Sequence, residues 1–296
     1  MKKFIALLMA ALLTLGACTA AFAMEEGESR AALGANLTAE QKAAAYAYFG
    51  ITPEQTVELI VTNHDERMYF EGKLPDNRLG RVALSCIYIV ATAKGSGLNI
   101  STHNINYCTA EMYKNALTSA GITDANIVVW APYEMSGTAA LTGIYKAYED
   151  MTGRLLDDYA KDLGIEELIA TGELAEYIGS DEALSIINDV KKILDETQKM
   201  DDEAVMQRIN DIAADYDVTL TDEQQKQIFT LARMFEGLSA EEIQQRLINM
   251  TKAAQKWQSF GEILTNAFES VADFFRQVGE FFKEVWDKWF AAPANE

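Results

Sequence analysis

Histidine, cysteine and basic residues are scarce in this 296-residue chain, which has 2 histidines, 3 cysteines, and 25 lysines and arginines against 45 acids. The resulting net charge of −20 argues against a nucleic-acid partner, because nucleic-acid binding depends on basic side chains at the phosphates. His64 and His103, without a spaced cluster of further ligands, predict no metal site, and we expect no cofactor. The hydrophobic content of 49% is nevertheless enough for a real core, in one large domain or two modest ones.

Residues 1–23 have the features of a secretory signal peptide. Lys2 and Lys3 precede an apolar run, residues 4–15, which is too short to span a membrane comfortably. The A-x-A motif at residues 21–23 predicts cleavage after Ala23, whereas residues 15–18 resemble a lipobox that would leave a lipidated Cys18 at the N-terminus. We favour cleavage after Ala23. Both routes export the protein, so we expect it to be secreted or associated with the cell envelope.

The hydrophobic pattern of the remaining chain changes near residue 154. Before it, short apolar runs alternate with helical patterns; after it, helical periodicity dominates. We therefore predict an α+β fold, with a small mixed β-sheet and helices at 38–153. An all-helical C-terminal part is expected to comprise a helical region at 154–254 and a long amphipathic tail helix at 255–296. Residues 24–37 are polar and are expected to be mobile.

Two strand-like runs on either side of Gly95-Ser96-Gly97 predict a β-hairpin within residues 82–106. Cys86 and Cys108 lie equally far before and after Gly97, so the hairpin would place them opposite each other. Since export permits disulfides, we expect a Cys86–Cys108 disulfide, with two free buried thiols as the alternative. A further strand at 127–131 is expected beside a strand at 57–62.

A strand-to-helix junction is the most distinctive stretch of the sequence. Pro132 is expected to end the strand, and Ser136-Gly137-Thr138 then opens a helical pattern. Such a junction aims free backbone N–H groups at one point, so these three residues could bind a small anion or carboxylate. A nucleophile elbow is disfavoured because Glu134 and Thr138 stand where that motif has glycines. We expect Ser136 to cap the helix.

The polar stretch 63–67 contains a second candidate cluster, Asp65, Glu66 and Arg67. It could bind a ligand or metal or supply an acid–base pair, but a solvated turn with Arg67 paired to Asp65 or Glu66 is the favoured interpretation. If Glu134 faced one of these acids across a groove, the two carboxylates would fit a hydrolase that acts on carbohydrate or peptidoglycan.

Residues 255–296 predict an amphipathic helix with an aromatic face. Apolar residues recur at alternating spacings of four and three from Leu264 to Trp289, while the polar face is mainly acidic and would attract anionic lipid weakly. We expect the aromatic face to pack on the protein's own helices or on a second copy; contact with a membrane surface is the alternative. The side chains expected to make this contact are Phe275, Phe282, Trp286 and Trp289.

Several stretches together resemble the YpuA-like secreted proteins of Gram-positive bacteria, which carry the domain of unknown function 1002. The matching stretches are residues 37–41, 61–67, 84–88, 95–105, 112–122, 131–144 and 217–224. The resemblance covers nearly the whole mature chain, and the Ser-Gly-Thr-Ala-Ala-Leu-Thr-Gly run at 136–143 is its most specific part. It implies an exported or envelope protein with no established activity, so no catalytic residue can be transferred. Cys86 and Cys108 depart from the family pattern.

The sequence therefore predicts an exported protein of the cell envelope that binds an envelope component or a protein partner. No catalytic constellation is apparent, so a non-enzymatic role is favoured. An extracellular hydrolase that acts on carbohydrate or peptidoglycan is the alternative.

Overall fold

A computed structural model describes residues 24–238, which form a five-stranded mixed sheet followed by a helical region. The strands are β1 (Ser29–Gly34), β2 (Val57–Val61), β3 (Cys86–Ala91), β4 (Leu98–Ile105) and β5 (Ala125–Met135). The helices are α1 (Ala39–Phe49), α2 (Asn63–Phe70), α3 (Asp76–Leu79), α4 (Ala110–Ser119), α5 (Thr138–Thr152), α6 (Asp158–Ile178), α7 (Ser180–Lys192), α8 (Leu194–Thr197), α9 (Asp202–Ala214) and α10 (Asp222–Glu236). The predicted α+β class is confirmed.

Some predicted features lie outside the described residues. These are the signal segment with Cys18 and the aromatic tail helix with Phe275, Phe282, Trp286 and Trp289.

The sheet has the strand order β2-β1-β3-β5-β4, so the predicted hairpin is wrong. β5 lies between β3 and β4; it pairs antiparallel with β3 and parallel with β4. The prediction that the strand near residue 127 lies beside the strand at 57–62 is also wrong, because β1 and β3 separate them. The glycine-rich loop permits a hairpin. However, β5 has five buried residues and suits an interior position, whereas only Leu98 of β4 is buried, as expected for an edge strand.

β1 lies within the segment that was expected to be mobile. It pairs with β2 on one side and β3 on the other, and Ala31, Ala32 and Leu33 are each at most 1% exposed. Alanine and arginine have low β-propensity, and a strand buried on both faces shows no alternation of polar and apolar residues. The sequence signal for this strand is therefore weak, although the strand lies in the interior of the sheet.

The sheet carries helices on both faces. On one face, Ala45 and Tyr46 of α1 pack with Leu33, Cys86 and Trp130. On the other face, α4 and α5 cover a larger core formed by residues such as Ile87, Ile127, Leu117 and Ile144. Helix α6 contacts α4 of the sheet region and also α7 and α10, so it connects the sheet to the helical core that follows.

The strand order also separates the two described cysteines. Cys86 belongs to the core on the α1 side of the sheet, and Cys108 to the core on the opposite side. Both are free, buried thiols, so the expected disulfide is not formed. The prediction failed because it depended on the β3–β4 hairpin.

Candidate functional site

The junction at residues 131–138 differs in detail from its prediction. β5 continues through Pro132 to Met135, because Pro132 lies beyond Trp130, the last residue of β5 that pairs with β3. Gly137, with φ +90°, is the N-cap of α5, and it supplies no side-chain hydrogen bond. The hydroxyl of Ser136 instead lies 3.1 Å from the hydroxyl of Thr138, so the prediction that Ser136 caps the helix is wrong.

Gly137 is required by close packing as well as by its backbone conformation. A Cβ atom at this position would lie 2.3 Å from the Tyr113 hydroxyl and 2.7 Å from Cγ2 of Ile105. The Tyr113 hydroxyl donates a 2.6 Å hydrogen bond to the Gly137 carbonyl oxygen, which fixes the approach of α4 to the junction. Only glycine combines the positive φ with this contact at low cost.

Glu66 occupies the position where an anion was expected to bind. The stretch 63–67 forms the first turns of α2 rather than a solvated turn, and Glu66 is only 2% exposed. Its carboxylate accepts a 2.5 Å hydrogen bond from the Thr138 hydroxyl, a 3.1 Å bond from Nδ2 of Asn63 and a bond from the Ala139 N–H. Glu66 alone of its predicted cluster thus joins the junction, where the chain's own carboxylate caps α5.

The pKa of Glu66 reflects two opposing effects. Burial raises it, while hydrogen bonds from Thr138 and Asn63 and the nearby charge of Arg67 favour the carboxylate form. The net pKa is higher than the usual value for glutamate because burial dominates.

Asp65 is engaged in a different part of the structure. It accepts 2.8 Å hydrogen bonds from the backbone N–H and the hydroxyl of Thr62, and it pairs with Nζ of Lys146 on α5 at 3.0 Å. Burial alone would raise its pKa, but these hydrogen bonds and the lysine together lower it below the usual value. Lys146 also donates to the Ile60 carbonyl oxygen in β2, so this pair joins α2, α5 and the edge of the sheet.

Arg67 does not pair with Asp65 or Glu66, contrary to prediction. Its guanidinium donates to Glu71 at 3.0 Å, Asp76 at 3.2 Å and the Gly80 carbonyl oxygen at 2.9 Å. These contacts hold the segment that follows α2. Arg67 therefore has a structural role in ordering residues 71–80.

The three acids considered for a hydrolase lie in different environments. Glu66 is buried as a helix cap and Asp65 is held by Lys146, whereas Glu134 is exposed. Between residues 24 and 238, no group of three histidine, cysteine, aspartate or glutamate side chains could hold a metal ion. Over the same residues, every helix is too short or too polar to cross a membrane.

A buried ion pair that was not predicted from the sequence lies between the sheet and the helical region. Glu167 of α6 is 0% exposed and Lys191 of α7 is 5% exposed, and they form a salt bridge. The hydroxyl of Ser119 on α4 donates to the other Glu167 oxygen, and Nζ of Lys191 lies 4.9 Å from the Phe235 ring centroid. One sequence signal was available: Glu167 follows the apolar Leu163 by four residues, about one helical turn, and so shares its side of α6.

One face of the sheet is open beyond the end of α1. His103 of β4 is on the α1 side, because its ring stacks on Tyr48 of α1 with centroids 4.7 Å apart. Side chains alternate along a strand, so Ser101 and Asn99 share this face, and the register places Asn126 of β5 beside Asn99. Asn99, Ser101 and Asn126 are exposed, and Nδ2 of Asn99 is 3.4 Å from Oδ1 of Asn126. We call these three residues with His103 and Tyr48 the open sheet face.

The open sheet face carries no acidic residue, lysine or arginine. Where β3, β4 and β5 are paired in register, the residues on this side are Cys86, Tyr88, Val90, Asn99, Ser101, His103, Asn126, Val128 and Trp130; the exposed Glu134 follows beyond the paired stretch. At the His103 end the register between β4 and β5 shifts: Ile105 pairs with Met135, so β5 has extra residues, including the 55% exposed Tyr133. Asn104 at this irregularity has φ +57°, and its side-chain amide donates a 2.9 Å hydrogen bond to the Ala131 carbonyl oxygen of β5.

Comparisons with known proteins identify relatives but no function. The family model described as "Protein of unknown function (DUF1002)" matches residues 33–252. The chain is 37% identical over 206 residues to the "Uncharacterized protein YpuA" of Bacillus subtilis (strain 168), covering 69% of this chain and 71% of that protein. No solved structure matches.

Proposed function

Since this chain belongs to the DUF1002 family, whose activity is unknown, we propose from its own residues that it is an exported, envelope-associated protein that binds a partner and does not transform it. The open sheet face is the observation that carries the binding role. It presents exposed amide and hydroxyl groups from two neighbouring strands, and α1 leaves them accessible. Exposed polar groups on a rigid sheet are well placed for recognition, because they lose little freedom on binding.

The contacts of the acidic residues support binding over hydrolysis. General acid–base catalysis needs carboxylates within reach of a substrate. Glu66 caps a helix from a buried position, and Asp65 is committed to Thr62 and Lys146. Both predicted acids therefore have structural partners already.

Export is supported by residues 1–23 and is testable with a reporter. Residues 1–30 fused to alkaline phosphatase, which is active only after export, should give active enzyme. The same fusion without residues 2–23 should give inactive enzyme.

The cleavage site is testable by N-terminal sequencing of the full chain, which should find Met24 as the first residue. Cys18→Ala should leave this product unchanged; loss of a membrane-held form in that variant would instead support lipidation. Retention of the full chain in the cytoplasm would contradict the proposal.

Envelope binding is testable with the purified chain that begins at Met24. Mixed with washed envelopes of a Gram-positive bacterium, the protein should sediment with them in a saturable manner; a protein of similar size and charge serves as the control. If it stays in the supernatant, the binding role is wrong. If it clears a suspension of peptidoglycan, the hydrolase alternative replaces the proposal.

A further inference from the structure

We infer that the open sheet face binds a neutral glycan that carries hydroxyl and acetamido groups; this inference rests on the proposed function and names its ligand class. The observation is a row of short, uncharged, hydrogen-bonding side chains that ends at an exposed aromatic stack. Asn99, Ser101 and Asn126 form the row, and the Tyr48–His103 pair forms the stack.

The geometry of the row suits an extended polymer. Asn99 and Ser101 are two residues apart on β4, about 7 Å along the strand, and Asn126 is beside Asn99 on the next strand, about 5 Å away. His103 continues the same line by a further two residues. The groups thus form a flat strip along β4 rather than a closed pocket, and a strip of this kind fits successive units of a chain.

The chemistry of the row suits sugars. Each asparagine amide offers two donors and an acceptor, and a serine hydroxyl donates and accepts. Sugar hydroxyls donate and accept in the same way, and an acetamido group has one donor and one acceptor. A sugar ring also has an apolar C–H face, which packs on aromatic rings; Tyr48, 46% exposed, presents such a ring at the end of the row.

Charge argues against other envelope partners for this face. A charged partner would be expected to meet opposite charges, yet the positions on this side within the paired stretches 86–90, 99–103 and 126–130 contain no acidic residue, lysine or arginine. The net charge of −20 would also repel anionic polymers and anionic lipid.

A peptide partner that adds a strand would bind the edge of the sheet rather than this face. At the β2 edge, the Ile60 carbonyl oxygen already accepts a hydrogen bond from Lys146.

The test uses the purified chain from Met24 and three insoluble polymers: chitin, peptidoglycan freed of teichoic acid, and cellulose, which has hydroxyl but no acetamido groups. We expect binding to chitin and peptidoglycan and weaker binding to cellulose. If the protein binds only one of chitin and peptidoglycan, that polymer identifies the source of the acetamido sugar. A soluble N-acetylglucosamine oligomer then gives Kd by calorimetry.

Matched variants connect binding to the face. Asn99→Ala with Asn126→Ala should raise Kd at least about tenfold, because two hydrogen-bonding partners are lost. Tyr48→Ala should also weaken binding. The controls are Asn77→Ala, at an exposed site in α3, and Tyr177→Ala, a 63% exposed tyrosine on α6; neither should change Kd. Unchanged circular dichroism and melting temperature show that each variant is folded.

Two results would overturn the inference: the wild-type protein binds no acetamido polymer, or the double variant binds as tightly as the wild type. The envelope sedimentation assay, run on the same proteins, separates the two proposals. If the wild-type protein sediments with envelopes but binds neither chitin nor peptidoglycan, the glycan inference fails while the binding role stands. If it does not sediment with envelopes either, both fail.

Discussion

Two adjacent acids illustrate how side-chain environment decides a role at the residue scale. Asp65 and Glu66 are consecutive on α2, so they point in different directions around the helix. Asp65 meets Lys146 near the surface and its pKa is lowered, whereas Glu66 enters the core below the N-terminus of α5 and its pKa is raised by burial. Sequence proximity suggested a shared site, but each acid has a separate structural partner.

Replacing Glu66 should destabilise the fold strongly. In Glu66→Ala, the Thr138 hydroxyl, the Asn63 amide and the Ala139 N–H lose their acceptor in a buried place. We expect a loss of about 2–3 kcal/mol in the free energy of unfolding, measured by urea denaturation. Glu134→Ala, at an exposed site, should change it by less than about 0.5 kcal/mol. Equal effects of the two substitutions would mean that Glu66 does not cap α5.

Asp65 should contribute stability that depends on pH. Its pKa is lowered in the folded protein, so the unfolded chain binds the proton more tightly. The contribution is therefore present above the ordinary pKa of aspartate, about 4, and is lost as the pH falls through the lower folded value. The difference in unfolding free energy between the wild type and Asp65→Asn should shrink as the pH is lowered from 6 to about 3. A constant difference would show that Asp65 does not titrate with folding.

At the scale of elements, α6 holds the two halves of the described chain together. Gly164 packs against the backbone of α4, where a Cβ atom would lie 2.5 Å from the Ala116 carbonyl oxygen. Glu167, one turn further along, reaches Ser119 on α4 and Lys191 on α7. Close backbone contact and a satisfied buried ion pair thus occur at the same interface, which makes α6 sensitive to single substitutions.

Breaking the buried ion pair should cost far more than breaking an exposed one. Lys191→Met would leave the Glu167 carboxylate buried without its partner, and we expect a loss of about 3–5 kcal/mol in unfolding free energy. Lys192→Met removes the next lysine, which pairs with Asp189 at the surface, and should cost less than about 1 kcal/mol.

The double variant Glu167→Met, Lys191→Met tests the cause of that loss. It removes both charges and should recover much of the stability, because neither charge is then left unpaired in the core. Chemical denaturation gives the free energy of unfolding of the two single variants and of the double variant. A double variant no more stable than Lys191→Met would mean that the lost packing, not the unpaired charge, destabilises the single variant.

Local features of the elements could be predicted from the sequence, but their pairing could not. The start of α5 at Thr138 and its end at Gly153 follow from local signals, as does β2. β1 has no alternation of polar and apolar residues because it is buried on both sides. The contact of Glu66 with Thr138 joins residues 72 apart in the chain and depends on how α2 packs on α5, which local periodicity does not encode.

At the scale of the whole molecule, the strand order decides which distant residues can meet. The chain leaves β3, forms β4 at the edge, passes through α4 and returns to insert β5 between them. The insertion carries the Asn99–Asn126 pair onto one face and places the cores with Cys86 and Cys108 on opposite faces. The observed order therefore keeps the two cysteines apart, and a disulfide between them would require a different arrangement of the strands.

Thiol chemistry tests the separation of the two cysteines. Both thiols are 0% exposed, and burial raises the pKa of each to about 12, so neither should react with a maleimide in the native chain from Met24. In denaturant without reductant, both should react, and intact mass spectrometry should count two labels. Asn77→Cys, at an exposed site, should take one label in the native state and so shows that the reagent is active. If reductant adds the mass of two hydrogens and labelling requires it, the cysteines are bridged, and β3 and β4 must pair differently from the order observed here.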